Sequence, residues 1–174
     1  MNPPGHLPTH PSRRGLLRSV CLAWAPAMKS VLAGTETDGT AIDWPPLPLL
    51  DGGQLQPAAW SGTPAVLVFW ATWCPYCKRH NAHVEQLYQR TLGKNLRVLG
   101  VALETDKSAI ARYMQANQFH FPVALADSGF RGQFSQRRII PLTCLISKRG
   151  ILKQTIPGEM SQEDVLSLAS ASWA

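Results

Sequence analysis

The segment Trp73-Cys74-Pro75-Tyr76-Cys77 is the feature that most constrains how this chain folds. It follows a continuous apolar run, 65–70, which is typical of a strand buried on both faces of a sheet. It precedes a run with the apolar spacing of a helix, and proline is well tolerated in the first turn of a helix. The sequence therefore predicts two thiols at a helix start, beside the end of a buried strand. A Cys-x-x-Cys unit in this position is suited to thiol–disulfide exchange.

Apolar periodicity divides the rest of the chain into alternating strands and helices. We expect a helix from Pro75 to about Leu92, strands over 97–102 and 121–125, helices over 107–117 and 130–134, a hairpin of 142–146 with 152–156, and a last helix from Ser161 to about Ser170. Short apolar stretches around Asp51-Gly52-Gly53 predict an N-terminal β-hairpin. This order predicts an α/β fold in which helices flank a central mixed β-sheet.

The first 33 residues have the features of an export signal. Arg13-Arg14 is followed by leucines and by a short apolar stretch, 20–28, and small residues suited to cleavage occur at 25–27 and 31–33. The segment resembles a bacterial twin-arginine signal. An unprocessed basic tail is one alternative. An uncleaved anchor is another, although the apolar stretch is far shorter than the ~20 residues of a spanning helix.

The domain boundaries follow from this composition. We predict an export signal or tether over 1–33, a linker over 34–46 and one folded domain over 47–172. Cys21 lies in the signal-like stretch and is assigned no role.

The charge distribution argues against a nucleic-acid partner. The formal net charge is +6, but four basic residues and no acidic residue lie in 1–33, so the predicted domain is nearly neutral. Arg137-Arg138 is the nearest approach to a basic cluster and is too short to indicate nucleic-acid binding.

Two separated motifs carry a resemblance to a known family. They are the stretch from Val68 to Cys77 and, downstream, Ile139-Ile140-Pro141-Leu142-Thr143 before Gly150. Over about 45–172 the chain resembles thioredoxin-fold proteins of the redoxin class, in particular the TlpA/ResA-like exported thiol–disulfide oxidoreductases. The resemblance implies a thioredoxin-like fold, a periplasmic or membrane-tethered location, disulfide-containing exported proteins as substrates and a membrane thiol–disulfide electron donor. We expect a monomer without cofactor or resident metal.

The two cysteines are assigned different roles. Cys74 is placed at the helix N-terminus, where unpaired amides and the helix dipole stabilise a thiolate, so we expect it to be the attacking thiol. Cys77 lies one turn further along and is expected to resolve the mixed disulfide, which leaves a Cys74–Cys77 redox disulfide. A permanent structural disulfide or two inert core thiols are the alternatives.

The resemblance adds a set of substrate-binding residues. It implies that Pro141 is a cis proline beside the cysteine pair and that the backbone of Ile140 pairs with an extended substrate. It also places Trp73 on the substrate surface, with Pro75 and Tyr76 beside it. We expect Trp70 to be a core residue.

The sequence departs from the family at several positions. Val68 stands where thioredoxin has a buried aspartate, and His80 stands where TlpA-like proteins usually have a glutamate. His80 is interpreted either as a proton carrier for Cys77 or as a solvent-exposed helix histidine. Cys144 is interpreted as a core residue or as a third redox thiol. Leu142 replaces the glutamate that follows the cis proline in cytochrome c biogenesis proteins, which weakens an assignment to that pathway.

A metal-binding function is the alternative from another class. Cys74, Cys77, His80 and His83 have ligand-like spacing. On one continuous helix, steps of three residues rotate the side chains progressively around the axis, so the four cannot close on one ion without a break in the helix. Copper delivery or binding through the cysteine pair remains open at this point. The direction of electron flow is also open, and the resemblance favours a reductase that serves apocytochrome c or copper-site proteins.

Overall fold

A computed structural model describes residues 39–170 and Trp173. The predicted export signal, 1–33, the first part of the predicted linker, 34–38, and the predicted end of the domain at 171–172 lie outside the described residues. In chain order the described elements are β1 Thr40–Ala41, β2 Leu47–Pro48, β3 Gln54–Leu55, β4 Ala65–Trp70, α1 Pro75–Thr91, β5 Arg97–Ala102, α2 Lys107–Ala116, β6 Val123–Leu125, α3 Ser128–Gly132, β7 Leu142–Ile146, β8 Ile151–Pro157 and α4 Gln162–Ser167. Two 3-10 helices, Pro57–Trp60 and Leu168–Ser170, complete the set.

A six-stranded mixed sheet forms the centre of the described fold, with the strand order β1-β8-β7-β4-β5-β6. Strands β4, β5 and β6 are parallel, and β7, β8 and β1 join antiparallel on the other side of β4. Strands β2 and β3 form the separate N-terminal hairpin. The predicted α/β class, mixed sheet and hairpin are confirmed.

Helices cover both faces of this sheet. One hydrophobic cluster joins β4 to α1, α2 and α4, and a second joins the opposite face of β4 to α3 and the 3-10 helix that ends at Trp60. Trp70 belongs to the first cluster and Phe69 to the second, because successive side chains of a strand point to opposite faces. Every residue of β4 is buried, as its continuous apolar run predicted.

Two elements differ from the sequence-based prediction. Strand β1 lies inside the predicted linker and pairs with β8, with Thr40 opposite Leu152. Its two residues carry no apolar alternation, so the pairing depends on the edge of β8 rather than on a local signal. The 3-10 helix Pro57–Trp60 was also not predicted.

Close packing behind the predicted site requires a glycine in β5. A Cβ atom on Gly100 would lie 2.8 Å from Nε1 of Trp70 and 2.7 Å from the ring of Phe121. The absence of a side chain at Gly100 lets the Trp70 ring lie against the sheet, and Trp70 is the last residue of the strand that leads to the cysteines.

Candidate active site

The sulfur of Cys74 lies at the start of α1, as predicted. Cys74 is the N-cap residue, Pro75 occupies the first turn, and the backbone N–H of Cys77 donates to Cys74 Sγ at 3.2 Å. An N-cap side chain usually accepts through a hydroxyl or carboxylate oxygen. Here the accepting atom is sulfur, so the reactive atom lies where the unpaired amides of the helix end converge. At this position the helix amides can donate to the Cys74 sulfur, which suits Cys74 to nucleophilic attack.

Cys77 is the more enclosed of the two thiols. Its exposed fraction is 0%, against 5% for Cys74. Burial raises the pKa of the Cys77 thiol far above its ordinary value, and the hydrogen bond with Cys74 and the charge of Glu104 act in the same direction. Both cysteines are free thiols in this structure. The raised pKa favours the protonated form of Cys77, which is compatible with the predicted resolving role.

The peptide bond between Ile140 and Pro141 is cis, which confirms the prediction from the resemblance. Strand β7 begins directly after Pro141 and pairs antiparallel with β4, with Leu142 opposite Phe69. This pairing places the start of β7 next to the end of β4, from which the chain continues to Cys74. The carbonyl oxygen of Ile140 lies 3.9 Å from Cys74 Sγ.

Exposed aromatic side chains surround the buried sulfurs. Trp73 is 70% exposed and Tyr76 is 58% exposed, whereas Trp70 is fully buried. Ile139 adds a further exposed apolar side chain, at 41%, on the loop before the cis proline. The structure thus separates the two tryptophans as predicted, with Trp70 in the core and Trp73 on the surface.

Glu104 is a site residue that the sequence reasoning missed. Its carboxylate accepts hydrogen bonds from the backbone N–H of Thr72, at 2.9 Å, and from the Thr72 hydroxyl. Glu104 follows the carboxyl end of β5, which is parallel to β4 and adjacent to it. The carboxyl ends of adjacent parallel strands lie together. A charged residue just after β5 could therefore have been predicted to lie near the loop that follows β4. The carboxylate holds the loop that leads to Cys74.

His80 is buried, so the solvent-exposed alternative is wrong. The backbone N–H of Met160 donates to Nδ1 at 3.3 Å, and Nε2 lies 3.0 Å from the hydroxyl oxygen of Thr143. Since a backbone N–H only donates, the proton of the neutral ring is on Nε2 and is donated to Thr143. Burial lowers the pKa of His80 to about 4, and the charge of His83 adds to this effect. Both ring nitrogens have partners other than Cys77, which does not support the predicted proton-carrier role.

His83 and Arg79 hold the same loop as His80. Nδ1 of His83 lies 3.3 Å from the carbonyl oxygen of Met160. Arg79 makes a bidentate ion pair with Glu159, with N–O distances of 2.8 and 2.6 Å. His80 and His83, which have the sequence spacing of metal ligands, thus both contact Met160 in the loop before α4. Within 39–170, no group of three or more His, Cys, Asp and Glu side chains is arranged to hold a metal ion.

Cys144 is separate from the cysteine pair. It lies on β7 opposite Leu67 and is fully buried in the second hydrophobic cluster. Burial raises the pKa of its thiol to about 12. This environment favours the core interpretation of Cys144 over the third redox thiol.

A mixed sheet of this topology, with a Cys-x-x-Cys pair at a helix start and a cis proline facing it, defines the thiol–disulfide oxidoreductases of thioredoxin fold. More particularly, the chain belongs to the AhpC/TSA family, whose model matches residues 41–155. None of the described helices is long and apolar enough to cross a lipid bilayer.

Curated relatives and solved structures agree with this class. The chain is similar to the thiol–disulfide oxidoreductase ResA of Bacillus subtilis, with 25% identity over 149 residues that cover 84% of this chain and 83% of the relative. It is 27% identical to ResA of Geobacillus kaustophilus over 116 residues, which cover 67% of each chain. A putative thioredoxin from Neisseria meningitidis has a TM-score of 0.66 and 25% identity, over 78% of this chain and 91% of that one. StoA from Bacillus subtilis, at 23% identity, shares the fold with a TM-score of 0.60 over 70% of this chain and 92% of that one. The predicted fold and enzyme class are confirmed.

Proposed function

We propose that this protein reduces disulfide bonds in exported proteins. The observation that carries the proposal is the placement of Cys74 Sγ at the first turn of α1, where it accepts from the N–H of Cys77 and lies beside the Ile140 carbonyl. Export is proposed from the signal-like composition of 1–33, with the protein in the periplasm or tethered to face it. The proposed reductant is a membrane thiol–disulfide electron donor.

The proposed reaction is a pair of thiol–disulfide exchanges. The Cys74 thiolate attacks one sulfur of the substrate disulfide, forms a mixed disulfide and releases the other substrate sulfur as a thiolate, which takes up a proton. Cys77 then loses its proton and attacks Cys74 Sγ, and the remaining substrate sulfur leaves as the second thiolate. Two electrons have passed to the substrate, and the protein holds the Cys74–Cys77 disulfide until its donor reduces it.

We propose that the substrate backbone lies along Ile140 and Pro141, since the Ile140 carbonyl borders the reactive sulfur. Trp73 and Tyr76 are proposed to contact substrate side chains because they are exposed beside Cys74, with Pro75 between Cys74 and Tyr76. His80 is proposed to act as a positioning residue that joins α1 to β7 and to the Met160 loop through its two ring nitrogens.

Trapping of the intermediate tests this proposal. In a Cys77→Ser variant, the mixed disulfide between Cys74 and a disulfide-bonded peptide should accumulate, as detected by mass spectrometry, because its resolving thiol is missing. A Cys74→Ser variant should form no adduct and should not reduce the peptide. The reduction potential of the wild-type pair, measured against a thiol–disulfide buffer, gives the direction of transfer. A pair that does not cycle between dithiol and disulfide would contradict the proposal, and stoichiometric copper retention lost in Cys74→Ser would favour the metal alternative.

A further inference from the structure

A cavity of about 610 Å³ lies directly beside the proposed nucleophile. Trp73, the neighbour of Cys74, and Ile140 both line it. The Ile140 carbonyl oxygen lies 3.9 Å from Cys74 Sγ, so the cavity adjoins the reactive sulfur.

The lining of the cavity has a positive charge. Arg131 and Arg138 contribute to it, against a single acidic residue, Asp127. The Asp127 carboxylate already accepts the N–H of Phe130 at 2.8 Å, where it caps α3. The lining thus has two guanidinium groups against one carboxylate, and its formal charge is positive.

Among the residues that the structure describes, no acidic side chain pairs with Arg131. Its guanidinium donates to the carbonyl oxygens of Ser135, Arg137 and Ile139, at 3.4, 2.9 and 2.9 Å. These neutral acceptors satisfy its hydrogen bonds and leave its charge in place, although the residue is only 9% exposed. A guanidinium charge in a partly desolvated setting attracts an anion more strongly than one in open water.

Arg138 is the exposed cation of the lining. Its side chain is exposed and makes no ion pair with any other residue in 39–170.

We propose that this cavity selects protein substrates in which an acidic side chain lies two residues from the cysteine attacked by Cys74. The inference deepens the proposed function and depends on it. In an extended peptide each residue advances about 3.3 Å, and side chains two positions apart point to the same side. A carboxylate at that spacing reaches past Ile140 to Arg138, which lies two residues before Ile140 in the chain. The apolar surface of Trp73 accommodates the residue between.

Paired peptides test the preference. Two synthetic peptides carry the same disulfide, and differ only in Asp or Asn two residues from the accessible cysteine. The wild-type protein should reduce the Asp peptide with a kcat/KM about fivefold higher at low salt, which corresponds to one charge-assisted contact. The preference should decline at 0.5 M salt, since exposed charges are then screened.

Charge-matched variants locate the effect. Arg138→Gln should reduce the Asp-to-Asn ratio to less than about twofold, whereas Arg112→Gln, an exposed residue of α2 outside the cavity lining, should keep the wild-type ratio. An equal rate for the two peptides, or a ratio unchanged in Arg138→Gln, would overturn the inference.

A binding measurement separates this inference from the proposed function. Fluorescently labelled linear versions of the peptides, with serine in place of both cysteines, cannot react, so anisotropy gives their affinities alone. Tighter binding of the Asp peptide, lost in Arg138→Gln, supports the inference even if neither disulfide peptide is reduced. Reduction of both peptides with equal affinities leaves the proposed function intact and removes the preference.

Discussion

Nε2 of His80 lies 3.0 Å from Oγ1 of Thr143, and this contact joins the helix of the cysteine pair to the strand after the cis proline. Thr143 pairs directly with Val68 across the sheet. Val68 stands where thioredoxin has a buried aspartate. In this chain the polar group next to that part of β4 is the neutral pair formed by His80 and Thr143.

Acid should destabilise the protein through His80. Its pKa is lowered by burial from 6.5 to about 4, so below pH 6.5 the unfolded chain binds a proton that the folded chain does not. Stability is therefore lost as the pH falls from 6.5 towards 4, by roughly 3 kcal/mol in total for this group. Urea denaturation between pH 7.5 and 4 measures this loss. A His80→Gln variant should lose less stability over this range, whereas His120→Gln, an exposed histidine, should lose as much as wild type.

Loss of the Glu104 charge should make Cys77 easier to deprotonate. A nearby carboxylate raises the pKa of a thiol. Glutamine can still accept from the Thr72 N–H through its amide oxygen, and its NH2 group can donate to the Thr72 hydroxyl. In Glu104→Gln, a small thiol attached to Cys74 as a mixed disulfide should be released by Cys77 severalfold faster at pH 8. Mass spectrometry of samples quenched with acid at successive times measures the rate at which the small thiol is released. Glu163→Gln removes the same charge on α4 and should have no effect, and an unchanged rate in Glu104→Gln would contradict the expectation.

Removal of the Arg131 guanidinium should loosen the loop before the cis proline. Its hydrogen bonds to three carbonyl groups hold 135–139, and these acceptors lie in a partly buried region. Arg131→Met should lower the free energy of unfolding by about 2–3 kcal/mol and also lower kcat/KM. Arg137→Met is the matched control, since its exposed side chain makes none of these bonds. Chemical denaturation and peptide-reduction assays would detect both effects, and equal stability of the two variants would be contrary evidence.

The two tryptophans near Cys74 should respond in opposite ways to truncation. Trp70 is fully buried, so Trp70→Ala should destabilise the fold by about 3–5 kcal/mol. Trp73 is 70% exposed, so Trp73→Ala should change the melting temperature little but raise the KM for a disulfide peptide severalfold. Calorimetry and steady-state kinetics on both variants test this contrast. A normal KM in Trp73→Ala would argue against its proposed contact with substrate.

Cys144 should behave as a core residue. Because burial raises its pKa to about 12, the native reduced protein should be alkylated at Cys74 long before Cys144. Peptide mapping by mass spectrometry assigns each modified cysteine, including Cys21. In 6 M guanidinium chloride Cys144 should react readily. The Cys144→Ala variant should keep wild-type kcat/KM, and a large loss of turnover without loss of stability would instead indicate a redox role.

Local signals were sufficient for most of the fold. The apolar runs of β4, β5 and β7 predicted strands with the observed bounds, because a strand buried on both faces needs a continuous apolar sequence. The spacing of the cysteines and Pro75 likewise predicted the N-cap position of Cys74, since the first turn of a helix has its own residue preferences. Strand β1 was missed because its pairing with β8 depends on a distant partner.

The position of the two thiols at the helix start and the cis proline near them could thus be predicted from the chain and its resemblance to a family. Only the tertiary structure showed that Glu104 contacts Thr72, that His80 is enclosed between Thr143 and Met160, and that Arg131 and Trp73 line one cavity. These relationships join residues 32 to 80 positions apart. Their energetics depend on burial and on the distance between charges, and neither quantity is encoded in local sequence periodicity.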